Sequence, residues 1–269
     1  MKHIDVHHLP QPGARTVILD LLSTRERETC SAAEIVRAGS AFGIEATGMR
    51  TAITRLKAER RIRQLARGIY APGEESEPLQ RRLQAWRTIA ERRCEWTGGW
   101  MLAVITSVER ADRTGLRRTM RALDFGGFAE VETGIWGRPD NLRGGMATVR
   151  NELRALGAAR SMMTASARDF DEMRAARLAA LWDPNPIAKG DRELAAILDA
   201  HAATVLEEPL DAAAAATLVL GREAIRRIVH DPLLPDELGG IAALTDLVAA
   251  MTRYDRLGQD VWRRFLDGA

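Results

Sequence analysis

Basic side chains are concentrated in one short stretch of the sequence, between Met49 and Arg67. The stretch holds seven basic residues and a single acid, Glu59, so its net charge is +6 over nineteen residues. The basic residues are Arg50, Arg55, Lys57, Arg60, Arg61, Arg63 and Arg67. A guanidinium group can donate two parallel hydrogen bonds to a phosphate, or to O6 and N7 of guanine. The stretch therefore indicates a polyanion-binding surface, although a solvated basic face of a small helical domain would have the same composition.

The apolar residues of this stretch recur at helical spacing and predict a helix that ends at about Arg60. Its buried face would consist of Met49, Ala52, Ile53 and Leu56. A helix with the remaining polar face outward fits the major groove of DNA. The candidate DNA contacts on this helix are Thr47, Arg50, Thr51, Thr54, Arg55 and Lys57. Thr47 is also a plausible N-cap residue.

The segments around this helix predict the elements that would position it. Ala14–Leu22 has a short apolar helix pattern, and Ser31 with Glu34 forms a capping box that opens a second helix. After the third helix, 61–66, the Arg67-Gly68 turn and 69–72 read as a β-hairpin. Three helices followed by a hairpin predict a winged helix-turn-helix domain over residues 14–73. Arg63 and Arg67 are the candidate backbone contacts of the wing, where arginine also occurs simply to protect edge strands.

The whole chain gives no comparable signal of charge. Its 269 residues are 46% hydrophobic and 28% charged, which excludes a mainly disordered protein, and its formal net charge is only +2. No apolar run approaches the roughly 18 residues of a membrane span, and the first residues lack the core of a signal peptide. We therefore expect a cytoplasmic protein with no membrane partner.

Residues 96–166 predict a central domain after a linker helix over 74–95. Strands over Met101–Ile105, Phe128–Trp136 and Ala158–Ala165 alternate with helices over 113–123 and 145–156. The first of these helices would direct Leu116, Met120 and Leu123 inward. The order β-α-β-α-β favours a ferredoxin-like domain. Residues 167–269 read as helices separated by proline-containing breaks, which predicts a third, all-α domain and an α+β, multidomain protein overall.

Four residues of the central domain are candidates for binding a small effector. They are Trp100, Trp136, Arg138 and Arg143. Aromatic rings can line a pocket, and the two arginines that flank Pro139 could hold phosphate groups of a ligand. Core packing of the tryptophans and a solvated loop around the arginines would explain the same pattern.

Other chemistry has little support in the sequence. His3, His7 and His8 lie in an N-terminal arm that offers no second shell for a metal, and Cys30 and Cys94 have no metal-ligand or disulfide spacing. The common hydrolase, nucleotide-binding and zinc-protease motifs do not occur. We therefore expect no metal, no cofactor and no catalytic site.

Several segments together resemble the PaaX family, bacterial transcriptional repressors named for the control of phenylacetic acid degradation. Met49–Leu56 is similar to the R-T-A-x-x-R-L pattern of the family's recognition helix. The other similar segments are 95–100 (W-x-G-x-W), 116–123 with Gly127-Phe128, 134–139, 181–183 (L-W-D) and 231–235 (D-P-x-L-P). The resemblance extends from about Ala14 to Leu266.

The resemblance implies a homodimeric repressor that binds an inverted-repeat operator in double-stranded DNA and is released by an aryl- or acyl-CoA. Two departures bear on the effector: the wing around Arg67 is shorter than usual, and no Trp-Pro-Gly follows Pro235. The acyl group is therefore left open.

Two alternatives remain at the level of sequence. A ferredoxin-like domain can carry a metal-dependent nuclease, which needs an Asp at the end of its first strand, whereas this chain has Val104 to Glu109 there with no Asp. The second alternative is a small-molecule-binding protein that uses its winged helix only for protein contacts.

Overall fold

The computed structural model describes residues 11–23, 29–74, 81 and 83–268. The protein combines helix and sheet, as predicted; the described residues are 62% helical and form two small sheets. Contacts divide it into two compact units. Unit 1 comprises Met1–Arg87, Glu193–Arg226 and Leu247–Ala269, and unit 2 comprises Thr88–Arg192 and Arg227–Asp246.

Unit 1 begins with the three helices and the hairpin that the sequence predicts. The helices are α1 (Ala14–Ser23), α2 (Ala32–Ser40) and α3 (Ala46–Ala58), and the strands are β1 (Cys30–Ser31), β2 (Ile62–Ala66) and β3 (Ile69–Pro72). The sheet is antiparallel in the order β1-β3-β2, so the unpredicted short strand β1 lies beside β3. The predicted capping box is confirmed: Ser31 Oγ accepts from Glu34 N at 3.1 Å, and Glu34 Oε2 accepts from Ser31 N at 2.8 Å.

The C-terminal part of the chain supplies three long helices, α8 (Pro184–Ala202), α9 (Leu210–Val229) and α10 (Ala242–Asp267). Residues of this region belong to the same apolar core as α1 to α3. They are Val205, Ala213, Ala214, Val261, Phe265 and Leu266. The division into units therefore differs from the predicted one, in which 167–269 form a separate domain, because apolar side chains of this region pack on the N-terminal helices.

Unit 2 contains a four-stranded antiparallel sheet in the order β5-β6-β4-β7. Its strands are β4 (Trp100–Val104), β5 (Ala129–Glu132), β6 (Ile135–Pro139) and β7 (Met163–Ala167). Its helices are α4 (Ser107–Ala111), α5 (Arg113–Phe125), α6 (Gly145–Ala155) and α7 (Glu172–Ala179).

Two short 3-10 helices, Val205–Glu207 and Asp236–Leu238, lie between the C-terminal helices, and a third spans Ala85–Arg92 inside the predicted linker helix.

Three predictions for unit 2 were wrong in detail. The single strand over Phe128–Trp136 is a hairpin, because Gly134 adopts a left-handed conformation (φ +82°) and turns the chain. The order is therefore β-α-α-β-β-α-β, with α4 and α5 both between β4 and β5. The last strand lies at Met163–Ala167 rather than 158–165. Met120 is 41% exposed, whereas Thr119 is buried, since its Oγ1 accepts from Ala159 N at 2.9 Å.

The shared core of unit 1 predicts a stability effect far from α1 to α3 in sequence. Phe265 is buried beside Trp262, which stacks on Phe42, and the guanidinium of Arg37 lies 5.7 Å from the Phe265 ring. Phe265→Ala should lower the free energy of unfolding by about 3 kcal/mol or more, because it empties part of this core. Phe265→Leu, the control, should cost about 1.5 kcal/mol or less. Urea unfolding measures both; equal stabilities of the two variants would contradict the shared core.

Candidate nucleic-acid interface

Helix α3 has one apolar face that is anchored in the core of unit 1. Met49, Ile53 and Leu56 are buried in it, as the sequence predicts, whereas Ala52 is only half-buried. Met49 packs closely on α2, since a Cβ at Gly39 would lie only 2.5 Å from Met49 Cγ. A side chain at Gly39 would push α3 away, so this glycine sets the distance between the two helices.

The opposite face of α3 is exposed and carries all six predicted contacts: Thr47, Arg50, Thr51, Thr54, Arg55 and Lys57. Thr47 is not the N-cap residue, because the helix begins at Ala46 and Glu45 occupies that position without a side-chain cap. The hydroxyls of Thr51 and Thr54 donate to backbone carbonyls one turn earlier, Thr47 O at 2.9 Å and Arg50 O at 3.1 Å. These threonines therefore present methyl groups and oxygen lone pairs to the outside.

The β2–β3 hairpin is held firmly beside α3. Lys57 Nζ donates to Gln64 Oε1 on β2 at 2.7 Å. At the turn, Gly68 has φ +75°, and its carbonyl accepts from Ala32 N at 2.7 Å. The hairpin is thus tied both to α3 and to the start of α2. Lys57, predicted as a DNA contact, has a positioning role in this arrangement.

Positive charge on this surface lacks nearby acidic partners. Glu59, the single acid of the stretch, forms a 2.5 Å ion pair with Arg15 of α1. Exposed arginines follow one another from α3 to the tip of the hairpin: Arg50, Arg55, Arg60, Arg63 and Arg67. None of them makes an ion pair with any residue that the structure describes. We call α3 and the hairpin, with these arginines, the basic surface.

Arg60 is a member of the basic surface that was not among the predicted DNA contacts. It lies between α3 and β2 with φ +54°, a conformation that few non-glycine residues adopt. The chain turns sharply there, and Gly73 packs so closely that a Cβ on it would lie 2.1 Å from Arg60 O. The sequence shows that Arg60 is charged, but the position of its side chain depends on this turn.

The four predicted effector residues do not come together. In the antiparallel register, Trp100 pairs with Pro139, whereas Met101 pairs with Arg138 and Ala103 with Trp136. Paired residues share a face of the sheet, and neighbouring residues alternate. Trp136 and Arg138 therefore lie on one face of the sheet and Trp100 on the other.

Trp100 and Arg143 have structural neighbours of their own. Trp100 is buried between Trp96, in an edge-to-face contact at 5.6 Å, and Trp182, in a stacked contact at 6.5 Å. This is the core-packing interpretation of the tryptophans. Arg143 is exposed in the loop after β6, and its Nε donates to Glu91 O at 2.7 Å.

Arg138 is completely buried and acts as a clamp. Its guanidinium donates to the carbonyls of Gly126, Pro139 and Pro232, and to Asn141 Oδ1, at 2.5–3.2 Å. Asn141 in turn donates to Leu233 O at 2.7 Å. Loss of hydration in the interior, with a smaller effect of Arg92, lowers the pKa of Arg138 to about 9. The side chain therefore fixes the 231–235 segment to the sheet rather than lying in a solvated loop.

The end of β4, where a nuclease of this topology would hold metal, is a helix cap. Glu109 is buried, and its Oε2 accepts from Thr106 N at 2.7 Å and from Thr106 Oγ1 at 2.6 Å. Hydrogen bonds from Ser161 and Thr106 lower the pKa of Glu109 to about 2. Within the described ranges, no three His, Cys, Asp or Glu side chains gather into a group that could hold a metal ion. His3, His7 and His8 lie outside the described residues.

Comparison with known proteins adds a structural likeness. The sequence matches no protein-family model and no curated protein. The structure is similar to that of the uncharacterized protein Rv0674 from Mycobacterium tuberculosis, with a TM-score of 0.54 and 25% sequence identity. The match covers 92% of this chain and 99% of the other. In the part of the chain that the structure describes, no helix has the length and apolar character to cross a membrane.

The hydrogen bonds of Arg138 predict that this side chain stabilises unit 2 rather than binding a ligand. Arg138→Lys should lower the free energy of unfolding by about 3 kcal/mol, because one ammonium group cannot satisfy four separate buried acceptors. Arg143→Lys, the matched control at an exposed site, should change it by less than about 0.5 kcal/mol. Thermal or urea unfolding measures both. An Arg138→Lys protein as stable as the control would show that the clamp does not hold unit 2 together.

Proposed function

We propose that this protein is a sequence-specific DNA-binding transcriptional regulator whose helix α3 enters the major groove. The observation that carries the proposal is the basic surface: its arginines have no acidic partners among the described residues, while Glu59 is neutralised by Arg15. Uncompensated charge on a helix of groove width attracts phosphates and can read base edges. The proposal assigns the protein no catalytic role.

The arrangement of elements supports the fold part of the proposal. Three helices followed by a hairpin, with β1 completing a small sheet, correspond to a winged helix-turn-helix. Unit 2 has the order β-α-α-β-β-α-β, and with the short helix α4 set aside this order and the β5-β6-β4-β7 sheet correspond to a ferredoxin-like domain. Both assignments belong to the proposal, as does the resemblance to PaaX repressors.

Residues of α3 divide between base and backbone contacts in the proposed complex. Residues four apart share a face of a helix, so Arg50 lies above Thr54, and Thr51 above Arg55. The two arginines would bind guanines or clamp phosphates. Because the threonine hydroxyl hydrogens are used inside the helix, their methyl groups would contact thymine, and their oxygens would accept from bases. Thr47 at the helix start suits a phosphate.

The regulator would act as a homodimer on an inverted repeat, with two α3 helices in successive major grooves about 34 Å apart. A small effector such as an acyl-CoA would release it by binding more tightly to a dimer whose α3 spacing does not fit the operator. The effector site is left unassigned, since Trp100 lies on the opposite face of the sheet from Trp136 and Arg138, and Arg143 lies in a loop.

Removal of the α3 arginines should abolish specific binding. Arg50→Ala with Arg55→Ala should weaken binding at least about 30-fold to a duplex enriched by the wild-type protein from a random pool, since each bidentate contact contributes about 1–3 kcal/mol. The matched control is Arg117→Ala with Arg121→Ala, which removes the same charge from an exposed face of α5. Fluorescence anisotropy measures both. If the two double variants bind equally well, α3 is not the recognition helix.

The hairpin arginines should contribute without sequence preference. Arg63→Ala with Arg67→Ala should weaken binding to specific and random duplexes by a similar factor. It should also reduce the slope of log affinity against log salt concentration by about 2, because each phosphate contact releases about one counterion. Salt titrations of anisotropy give the slope. A slope equal to that of the wild type would show that the hairpin does not contact DNA.

A further inference from the structure

Strand β7 is the edge of the sheet of unit 2, and one of its sides is open. It pairs with β4 from Met163↔Val104 to Ala167↔Trp100. No backbone of any other described residue is hydrogen bonded to Met163–Ala167. Met163, Ala165 and Ser166 are exposed. The outer side of β7 therefore offers backbone donors and acceptors to a further strand.

The hydrogen-bond pattern identifies which groups face outward. Asp140 N donates to Gly99 O at 2.9 Å, and Ile105 N donates to Gly134 O at 2.7 Å, so odd-numbered residues of β4 bond to β6. Successive residues of a strand direct their backbone N–H and C=O groups to opposite sides, so the even-numbered residues of β4 bond to β7. Their partners are Met163, Ala165 and Ala167. Thr164 and Ser166 consequently direct their N–H and C=O groups away from the sheet.

The two edges of this sheet differ in how they resist pairing. Edge strand β5 contains Glu130 and Glu132 and has an irregular register between them, features that discourage a further strand. The five residues of β7 include no charge and no proline, and the register with β4 is regular. Met163 is 57% exposed on the same strand. Only the β7 edge is left suitable for pairing.

We propose that β7 is the dimerisation edge and that its occupant is β7 of a second copy of this chain. An antiparallel two-fold pairing of identical strands is self-complementary. If the axis passes at Ala165, Thr164 faces the partner's Ser166 and Ser166 faces the partner's Thr164. Each of these pairs exchanges two hydrogen bonds, so all four outward N–H and C=O pairs of the two strands are satisfied. The two sheets then form one sheet of eight strands.

The charges that flank β7 match this register. Arg160 precedes the strand and Asp169 follows it; both are exposed, and neither makes an ion pair with another described residue. In an antiparallel pairing the start of one strand meets the end of the other, so Arg160 and the partner's Asp169 lie at the same end of the ladder, and this occurs at both ends. Arg168, the other nearby charge, donates to Thr97 O and Thr97 Oγ1 of its own chain. Opposite charges thus approach each other twice in the dimer.

This inference supplies the dimer interface of the proposed regulator, but its test needs no DNA. The test variant is Ser166→Pro, which removes an outward N–H while leaving the β4–β7 bonds intact, since proline is tolerated on that side of an edge strand. The control Ser166→Ala keeps the N–H. Light scattering and sedimentation equilibrium give the mass, and circular dichroism verifies the fold.

We expect dimers for the wild type and Ser166→Ala at micromolar concentration. Ser166→Pro should raise the dimer dissociation constant at least about 10-fold, because two of the four shared hydrogen bonds are lost. A monomeric wild type, or a Ser166→Pro dimer of unchanged affinity, would overturn the proposal. A β7 dimer that binds no DNA would instead overturn the proposed function and leave this interface standing.

A cross-link provides an independent test if Ser166→Pro does not fold. Facing residues of a non-hydrogen-bonded antiparallel pair have Cα atoms about 4.5 Å apart, within the range that a disulfide bridges. Ala165→Cys, in a background with the exposed Cys94 changed to Ser, should therefore oxidise to a covalent dimer. Glu130→Cys on β5 is the matched control. Cross-linking of Ala165→Cys no faster than the control would also overturn the proposal.

Discussion

The packing of α3 against α2 is the constraint on which the rest of the basic surface depends. Met49 fills the space that the missing side chain of Gly39 leaves, and Ile53 and Leu56 continue the same buried stripe. With that stripe fixed, the polar positions of α3 can only point outward. The hairpin follows, because Lys57 and Gln64 join it to the helix. Residues from the far end of the chain, Phe265 among them, close the core beneath.

Arginine has two opposite roles in this protein, and burial decides between them. In unit 2, Arg138 is buried away from water, and its N–H groups donate hydrogen bonds to backbone carbonyls, so it acts as a structural clamp. In unit 1, Arg50 and Arg55 are exposed with no ion pair to the described residues, so their donors are available to an external anion. Residue type alone did not separate these cases. The proposed function rests on the second group, and the proposed β7 dimer would present it twice.

Local patterns were readable from the sequence, and long-range ones were not. The helix α3 and the burial of Met49, Ile53 and Leu56 follow from helical periodicity, and the Ser31–Glu34 cap follows from a four-residue motif; both are confirmed. The ends of α3 are shifted from the predicted ones, since the helix spans Ala46–Ala58. The separation of the effector candidates could not be predicted, because the face on which a strand residue lies depends on register, which puts Trp100 and Arg138 on opposite faces of the sheet. The exposure of Met120 likewise depends on a distant contact of Thr119. DNA binding, the dimer and the effector stay predictions.

Contact between the basic surface and DNA can be measured on the unmodified protein. Ultraviolet cross-linking of the full chain to a duplex selected from a random pool, followed by mass mapping of the attached peptides, identifies the residues that touch DNA. We expect cross-linked peptides from residues 46–72, which include α3 and the hairpin. Cross-links confined to other peptides, or failure of the random pool to yield any bound duplex, would contradict this expectation.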